Sequence, residues 1–275
     1  MYVEWSPPPA LSGRIACLWR QVSEDDRPQL VVPDGCVDLI WGPSGPFVAG
    51  PDTGPVPTRM KLGDTFTGIR FRPGAVGEVF GVPVPELRDQ RVPLPALDVF
   101  PALLTAHAAG RVPVPPAVPP GATAPFAAAD SLCESSYGGL CGSPCGCPGG
   151  GGLCGDSPDL MRVMLAAVAD RLRRTPPSDP AAPAVAASLA RGRGVREVAW
   201  ELGLSERQLH RRSVASFGYA PKTLQRIVRF QRALRLARSG VPLADVAAIA
   251  GYTDQAHLSH DVKRLSGVTL SRLVA

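Results

Sequence analysis

Two periods of apolar residues divide this chain of 275 residues. From residue 1 to about 98 the apolar positions gather in short runs, among them CLWRQV (17–22), LVV (30–32), VDLIW (37–41), FVAG (47–50) and FTGIRFRP (66–73), separated by Pro, Gly and Asp. Short runs bounded by turn residues predict several strands in a barrel or sandwich. A short helix is expected over 75–81, after RPGA. At SPDLMRVMLAAVADRLRR (157–174) the spacing becomes that of an amphipathic helix, and helical spacing persists from 181 to the C-terminus. The expected class is therefore α+β. A β-rich sensor-like domain would occupy 1–98, a disordered Pro/Gly/Cys linker 99–156, a connector helix 157–180, and an all-α domain with two helix-turn-helix units 181–275.

The two units are the most informative part of the pattern. In VREVAWELGLSERQLHRRSVASFG (195–218), Ala199 is followed four residues later by Gly203 and six residues after that by Leu209. A small residue lets two helices cross closely, a glycine takes the left-handed turn, and a leucine anchors the second helix in the core. Ser205 has the place and chemistry of an N-cap. In LADVAAIAGYTDQAHLSHDVKRLSG (243–267) the same roles fall to Ala247, Gly251 and Leu258, with the anchor seven residues past the glycine. The second turn should thus be one residue longer, capped by Thr253 or Asp254.

Between the units runs YAPKTLQRIVRFQRALRLARSG, with Pro221 suited to a first helical position and Gly240 to a C-terminal cap. Arg226, Arg229, Arg232, Arg235 and Arg238 recur every third residue, so they wind around the helix and do not form one stripe. Some can meet phosphate, and others are expected to pair with Asp245 or Glu201.

The segments LSERQLHRR, GYAPKTL, R-x2-RA and GYTDQAHLSHDVKRLSG resemble the DNA-binding domain of the AraC/XylS transcriptional regulators, over about 183–275. Two positions depart from that pattern. Ser213 stands where the family has a core aromatic, and Leu270 where it has proline. The resemblance implies sequence-specific regulation of transcription, commonly as an activator, although the residues themselves leave activation and repression open. Double-stranded DNA is the implied partner. A small-molecule effector, RNA polymerase and a second copy of the chain are further partners that such an architecture admits.

Charge supports the assignment independently. From 181 onward there are 15 Lys and Arg against 6 Asp and Glu, net +9, whereas the first 180 residues carry 14 against 18, net −4. A basic C-terminal module attracts phosphate without regard to sequence. On a helix starting at Ser205, Arg207, His210 and Arg211 share one face with Leu209 turned inward, and arginine can donate bidentately to guanine. With Leu258 inward, the second helix offers Gln255, Ala256, His257 and His260. Phosphate contacts are expected from Ser205, Arg212, Lys222, Arg226, Arg229, Lys263 and Arg264. Asp261 adjoins this face and would be costly there unless it accepts from cytosine or pairs with Lys263 or Arg264. The first unit should discriminate sequence and the second should position.

In the β-rich part, PDGCVDLIW (33–41), VAG (48–50) and GIRFRPGAVGEVFGVPVPEL (68–87) resemble the N-terminal domain of an AraC-like subgroup whose ligand is generally unassigned. This implies a sensor or dimerisation module related to the cupin-like arm domains. Cys36 and Asp38 alternate with Val37 and Leu39, so one strand face could line a ligand pocket opposite Arg70 or Arg72. The simpler alternative makes Cys36 a small buried hydrophobe and has Asp38 cap a turn or pair with arginine.

Nine prolines from Pro93 to Pro125 and nine glycines from Gly138 to Gly155 oppose a packed core in the linker. It holds Cys133, Cys141, Cys145, Cys147 and Cys154. Cys141-x3-Cys145 falls within zinc-like spacing, but no histidine accompanies it, so reduced thiols of a tether are expected ahead of metal or thiol sensing. A cysteine-based DNA-repair methyltransferase is a third class, and no Pro-Cys-His-type motif supports it. Neither an enzyme nor a cofactor is expected. With 45% apolar residues and no apolar run near 18 residues, the chain reads as a soluble, cytoplasmic globular protein.

Overall fold

The computed structural model describes residues 1–108 and 160–274. Its N-terminal part contains β1 (Tyr2–Trp5), β2 (Ile15–Val22), β3 (Gln29–Val31), β4 (Val37–Gly42), β5 (Gly45–Ala49), β6 (Val56–Thr58), β7 (Thr65–Phe71), α1 (Val84–Leu87), β8 (Arg91–Pro93), α2 (Pro101–Ala108) and α3 (Leu160–Arg174). Six strands form an antiparallel sheet in the order β1-β2-β7-β4-β5-β8, and β3 pairs with β6 in a second, two-stranded sheet. The five apolar runs thus fall on β2, β3, β4, β5 and β7. The short strands β1, β6 and β8, poor in buried side chains, gave no such run.

The near-continuous apolar run of β4, broken only by the ion-paired Asp38, is explained by burial of both faces of the sheet. One face packs Ile15, Leu18, Val37, Leu39, Val48, Ile69 and Phe71 into the main N-terminal core. The other buries Cys17, Trp19, Ile40 and Ala49 in a smaller cluster. A register shift between Ile15 and Cys17 lets Ile15 and Leu18, three residues apart, reach the same core.

Three expectations are corrected here. Residues 75–81 form turns instead of a helix, because Gly77 adopts φ +57° and interrupts the ladder. Residues 99–108, assigned by composition to the linker, close the domain: Val99, Phe100 and Leu103 are buried in its core, and the His107 ring meets Trp41 edge-on at 5.6 Å. The amphipathic helix α3 also belongs to this core, through Met161, Met164 and Val168, with Arg171 donating to the Val79 carbonyl at 2.9 Å. The rest of the proline- and cysteine-rich stretch, including Cys133, Cys141, Cys145, Cys147 and Cys154, lies outside the described residues.

Asp38 takes the simpler of its two roles. It faces Arg70 across the β4–β7 register, accepts from Arg70 Nε at 3.1 Å and from Trp19 Nε1 at 2.8 Å, and is buried. Asp34 adds a second carboxylate 3.6 Å from Arg70. Burial alone would lower the Arg70 pKa, and the Asp38 and Asp34 carboxylates more than reverse this, so Arg70 remains charged. Cys36 is buried, and its amide donates to Asp34 Oδ1 at 2.9 Å. Arg72 instead donates through Nε to the Ser12 carbonyl at 2.6 Å.

The C-terminal part is all helical: α4 (Ala182–Ala190), α5 (Val195–Glu201), α6 (Glu206–Phe217), α7 (Pro221–Arg238), α8 (Leu243–Ala250), α9 (Gln255–Ser266) and α10 (Leu270–Val274). A single core runs through all seven, from Val185 and Leu189 through Leu209, Leu224 and Phe230 to Leu258, Val262 and Leu270. Leu270 fills the family's proline position from inside this core. Ser213, at the usual aromatic position, is buried and donates to the Tyr219 carbonyl at 2.9 Å.

The two domains meet along a packed seam. Gln231 Nε2 donates to the Pro33 carbonyl at 2.6 Å, and Arg88 Nη1 to the Gly218 carbonyl at 3.2 Å. Gly74 is required by close approach as well as by its φ of +75°: a Cβ there would stand 2.6 Å from the Phe217 ring and 2.8 Å from the Ala182 Cβ.

Arg70→Met should destabilise the chain by about 3 kcal/mol, because it leaves a buried carboxylate without its counter-charge. Adding Asp38→Asn to that variant should recover part of the loss. Urea unfolding followed by tryptophan fluorescence measures both, and equal stability of the single variant and wild type would contradict the ion pair.

Candidate nucleic-acid interface

The two helix-turn-helix units are built alike from their caps outward. In the first, Gly203 adopts φ +63° between α5 and α6, and the Ser205 hydroxyl accepts from the Gln208 amide at 3.2 Å while Gln208 Oε1 accepts from the Ser205 amide at 2.8 Å. This reciprocal box satisfies two of the free amides at the start of α6. In the second, Gly251 adopts φ +84°, and Asp254 caps α9 by accepting from the His257 amide at 2.7 Å. The cap follows its glycine by one residue more than in the first unit, as the displaced anchor leucine requires.

Both recognition helices contain 12 residues. Leu209 and Leu258 are buried at equivalent places, four residues after the cap. On α6, Arg207, His210 and Arg211 are exposed together, as their spacing demands. Counting from the caps, their counterparts on α9 are Ala256, Ser259 and His260, all exposed, with Gln255 beside them. Ser259 was missed in the sequence, where the histidines at 257 and 260 drew attention instead.

His257 does not share that outward face. It corresponds to the capping residue Gln208 and is half-buried: its ring meets Tyr252 edge-on at 5.1 Å, and Nε2 lies 3.8 Å from Asp261. Asp261 is buried and pairs with Arg226 Nε at 3.4 Å, not with Lys263 or Arg264. The costly carboxylate is thereby withdrawn from the surface. Arg229 lies with its guanidinium carbon 5.1 Å from the centre of the Tyr252 ring, a cation–π contact. Burial, reinforced by Asp261, pushes the Tyr252 hydroxyl well above its ordinary value, so the ring stays neutral between Arg229 and His257. Tyr252 is thus a hub that residue type alone did not reveal.

The remaining cations divide between surface and scaffold. Arg212 pairs with Asp179 at 2.8 Å, tying α6 to the segment before α4. Lys222 is exposed and donates to Gln225 Oε1 at 3.0 Å, while Lys263 and Arg264 are exposed on α9. Glu201 pairs with Arg193 at 3.4 Å, not with the arginines of α7. Trp200 on α5 is 81% exposed, a large apolar side chain that packing does not account for.

Two capped helices of equal length, each with a polar outer face and held in one core by α7, define a tandem helix-turn-helix DNA-binding module. Residues 198–275 match a family model described as "Helix-turn-helix domain", and residues 3–93 match one described as "Domain of unknown function (DUF6597)". The C-terminal match is to an AraC-type domain, and with the N-terminal match ahead of it this supports a DNA-binding transcription regulator of the AraC type. No curated protein matches it by sequence. Among solved structures it is similar to an apo variant of ToxT from Vibrio cholerae, at 9% identity and TM-score 0.45 over 94% of this chain and 96% of that one. It is similar also to a second ToxT structure from Vibrio cholerae, at 9% identity and TM-score 0.39 over 93% and 95%. Likeness at that level adds nothing to the assignment. Among the described residues no helix is long and apolar enough to cross a membrane, and no group of three or more His, Cys, Asp or Glu could hold a metal ion.

The two histidines of α9 should separate experimentally. His257→Ala should lower stability by about 1 kcal/mol, through loss of its ring contact, with the ratio of specific to random DNA binding unchanged. His260→Ala should leave stability within about 0.5 kcal/mol and reduce that ratio. Thermal unfolding and fluorescence anisotropy provide the two readouts, and the reverse pattern would contradict the orientation of His257.

Proposed function

We propose that this chain is a one-component regulator that lays α6 and α9 into successive major grooves on one face of the duplex, with its N-terminal domain setting activity through a ligand or the dimer state. The observation that carries this reading is the equivalence of the two cap-to-anchor frames. Both present the same three outward positions from helices fixed in a common core.

In this reading Arg207, His210 and Arg211 contact base edges, and the first unit discriminates because arginine donates two parallel bonds to guanine. Gln255, Ser259 and His260 make the lighter contacts of the second unit. Lys222 and Lys263, exposed near these helices, contact phosphate, as do the amides at the start of α6 behind the Ser205 cap. Arg212, Arg226 and Arg229, each paired with a group of the protein, act by holding the helices in place. In this reading the Asp38–Arg70 pair supports the sheet and is not part of the effector site.

Selection of bound sequences from a random duplex pool by the full chain tests the reading. Bipartite sites with stronger base preference in one half are expected. Arg211→Ala should then cost about 1–3 kcal/mol on the selected site and relax preference at one or two base pairs. Equal losses on selected and random DNA would reduce Arg211 to a phosphate contact, and a pool that yields no enriched sequence would overturn the function.

A further inference from the structure

Where the domains meet, an open polar cleft of about 450 Å³ separates Thr53, Arg88 and Asp89 of the N-terminal domain from Thr223, Arg226 and Arg264 of the C-terminal one. Its volume falls in the range of small-molecule sites, but its lining is charged. Three guanidinium groups face a single lining carboxylate, and that carboxylate is already engaged: Asp89 accepts from the Thr53 amide and from its hydroxyl, the latter at 2.9 Å. Arg264 is exposed, and Arg88 is half exposed with its Nε 4.0 Å from Asp89. An apolar occupant would strip water from these cations without compensation. An occupant with oxyanion groups would satisfy them.

We propose that this cleft binds a small molecule carrying at least two negative charges on oxygen, bridging Arg88 of one domain and Arg226 and Arg264 of the other. Two or more charges are needed because the cations lie on opposite walls. The proposal deepens the reading that an effector acts through the N-terminal domain, since each contact leads to a recognition helix. Arg88 holds the Gly218 carbonyl at the end of α6, and Arg226 holds Asp261 in the middle of α9. An anion that draws on Arg88 and Arg226 therefore bears on both units at once. Arg226 already pairs with Asp261 on α9, so the anion competes with a protein carboxylate for one guanidinium.

Calorimetric titration of the full chain with pyrophosphate, and separately with citrate, at constant ionic strength and without DNA, tests the site. One molecule per chain is expected to bind, at least tenfold more weakly to Arg88→Gln/Arg264→Gln. An Arg207→Gln/Arg211→Gln variant, altered only on the exposed face of α6, should bind the anion as wild type does. Preference for pyrophosphate assigns a phosphate-bearing ligand and preference for citrate a polycarboxylate. Should the first variant lose its helical circular dichroism, Thr223→Glu, which adds a carboxylate to the cleft wall, should weaken binding equally. No binding of either probe, undiminished binding by the cleft variants, or equal loss in the α6 variant would overturn the proposal. Because no DNA is present, such a failure is distinguishable from failure of the DNA-binding reading.

Discussion

The arrangement depends on one buried helix. α7 extends for 18 residues, about 27 Å at 1.5 Å per residue, and its Leu224, Ile227, Phe230, Ala233 and Leu234 lie in the core shared by both helix-turn-helix units. It packs against α4, α5 and α6 on one side and α8, α9 and α10 on the other. A helix whose apolar face is buried in both units cannot bend without opening that core, so α7 fixes the distance and mutual orientation of α6 and α9. A tandem DNA reader needs this constraint, because two recognition helices on a loose tether would not hold one register on the duplex. Pro221 at its first turn and Gly240, with φ +83°, just beyond its end set the length of the strut.

The N-terminal domain grips one end of this frame more than the other. Its contacts with Phe217, Gly218 and Tyr219 gather where α6 ends and α7 begins, and Gln231 adds a buried bond midway along the strut. The second unit meets it more lightly, where Gly267 approaches Pro55 and where the charged cleft lies. The β-rich domain is thus joined to the first unit by packed backbone and to the second chiefly by charged groups. This asymmetry parallels the chemistry of the two outer faces, arginine-rich on α6 and largely neutral on the first turns of α9.

Features set by local spacing were legible in the sequence: both caps, both turn glycines, both anchor leucines, the strut and the main strands. Residues whose role depends on distant partners were not. His257 and Asp261 looked like surface groups because nothing local announces that Tyr252 and Arg226 will enclose them. Arg212 looked like a phosphate contact until Asp179, 33 residues earlier, was placed beside it. The helix expected at 75–81 failed for the opposite reason, since its apolar residues are buried as expected but a positive φ at Gly77 prevents the helical path. Composition also set the domain edge too early. Pro93 ends β8 and Pro101 starts α2, and the neighbouring Leu94, Phe100 and Leu103 are buried in the core, so proline density there marks turns within a domain and not its boundary.

The central claim is that α7 holds the two recognition helices at one fixed separation. Affinity should therefore depend on the helical phase between the two half-sites. Measuring binding of the full chain to a selected bipartite site into which one to ten base pairs are inserted between the halves tests this most directly. The rigid strut predicts that affinity falls to that of a single half-site with an insertion of about five base pairs and stays there at about ten, because a full helical turn restores the face but not the distance. Affinity that is unaffected by insertions, or that recovers fully at ten, would show that the two units move independently and would contradict the account.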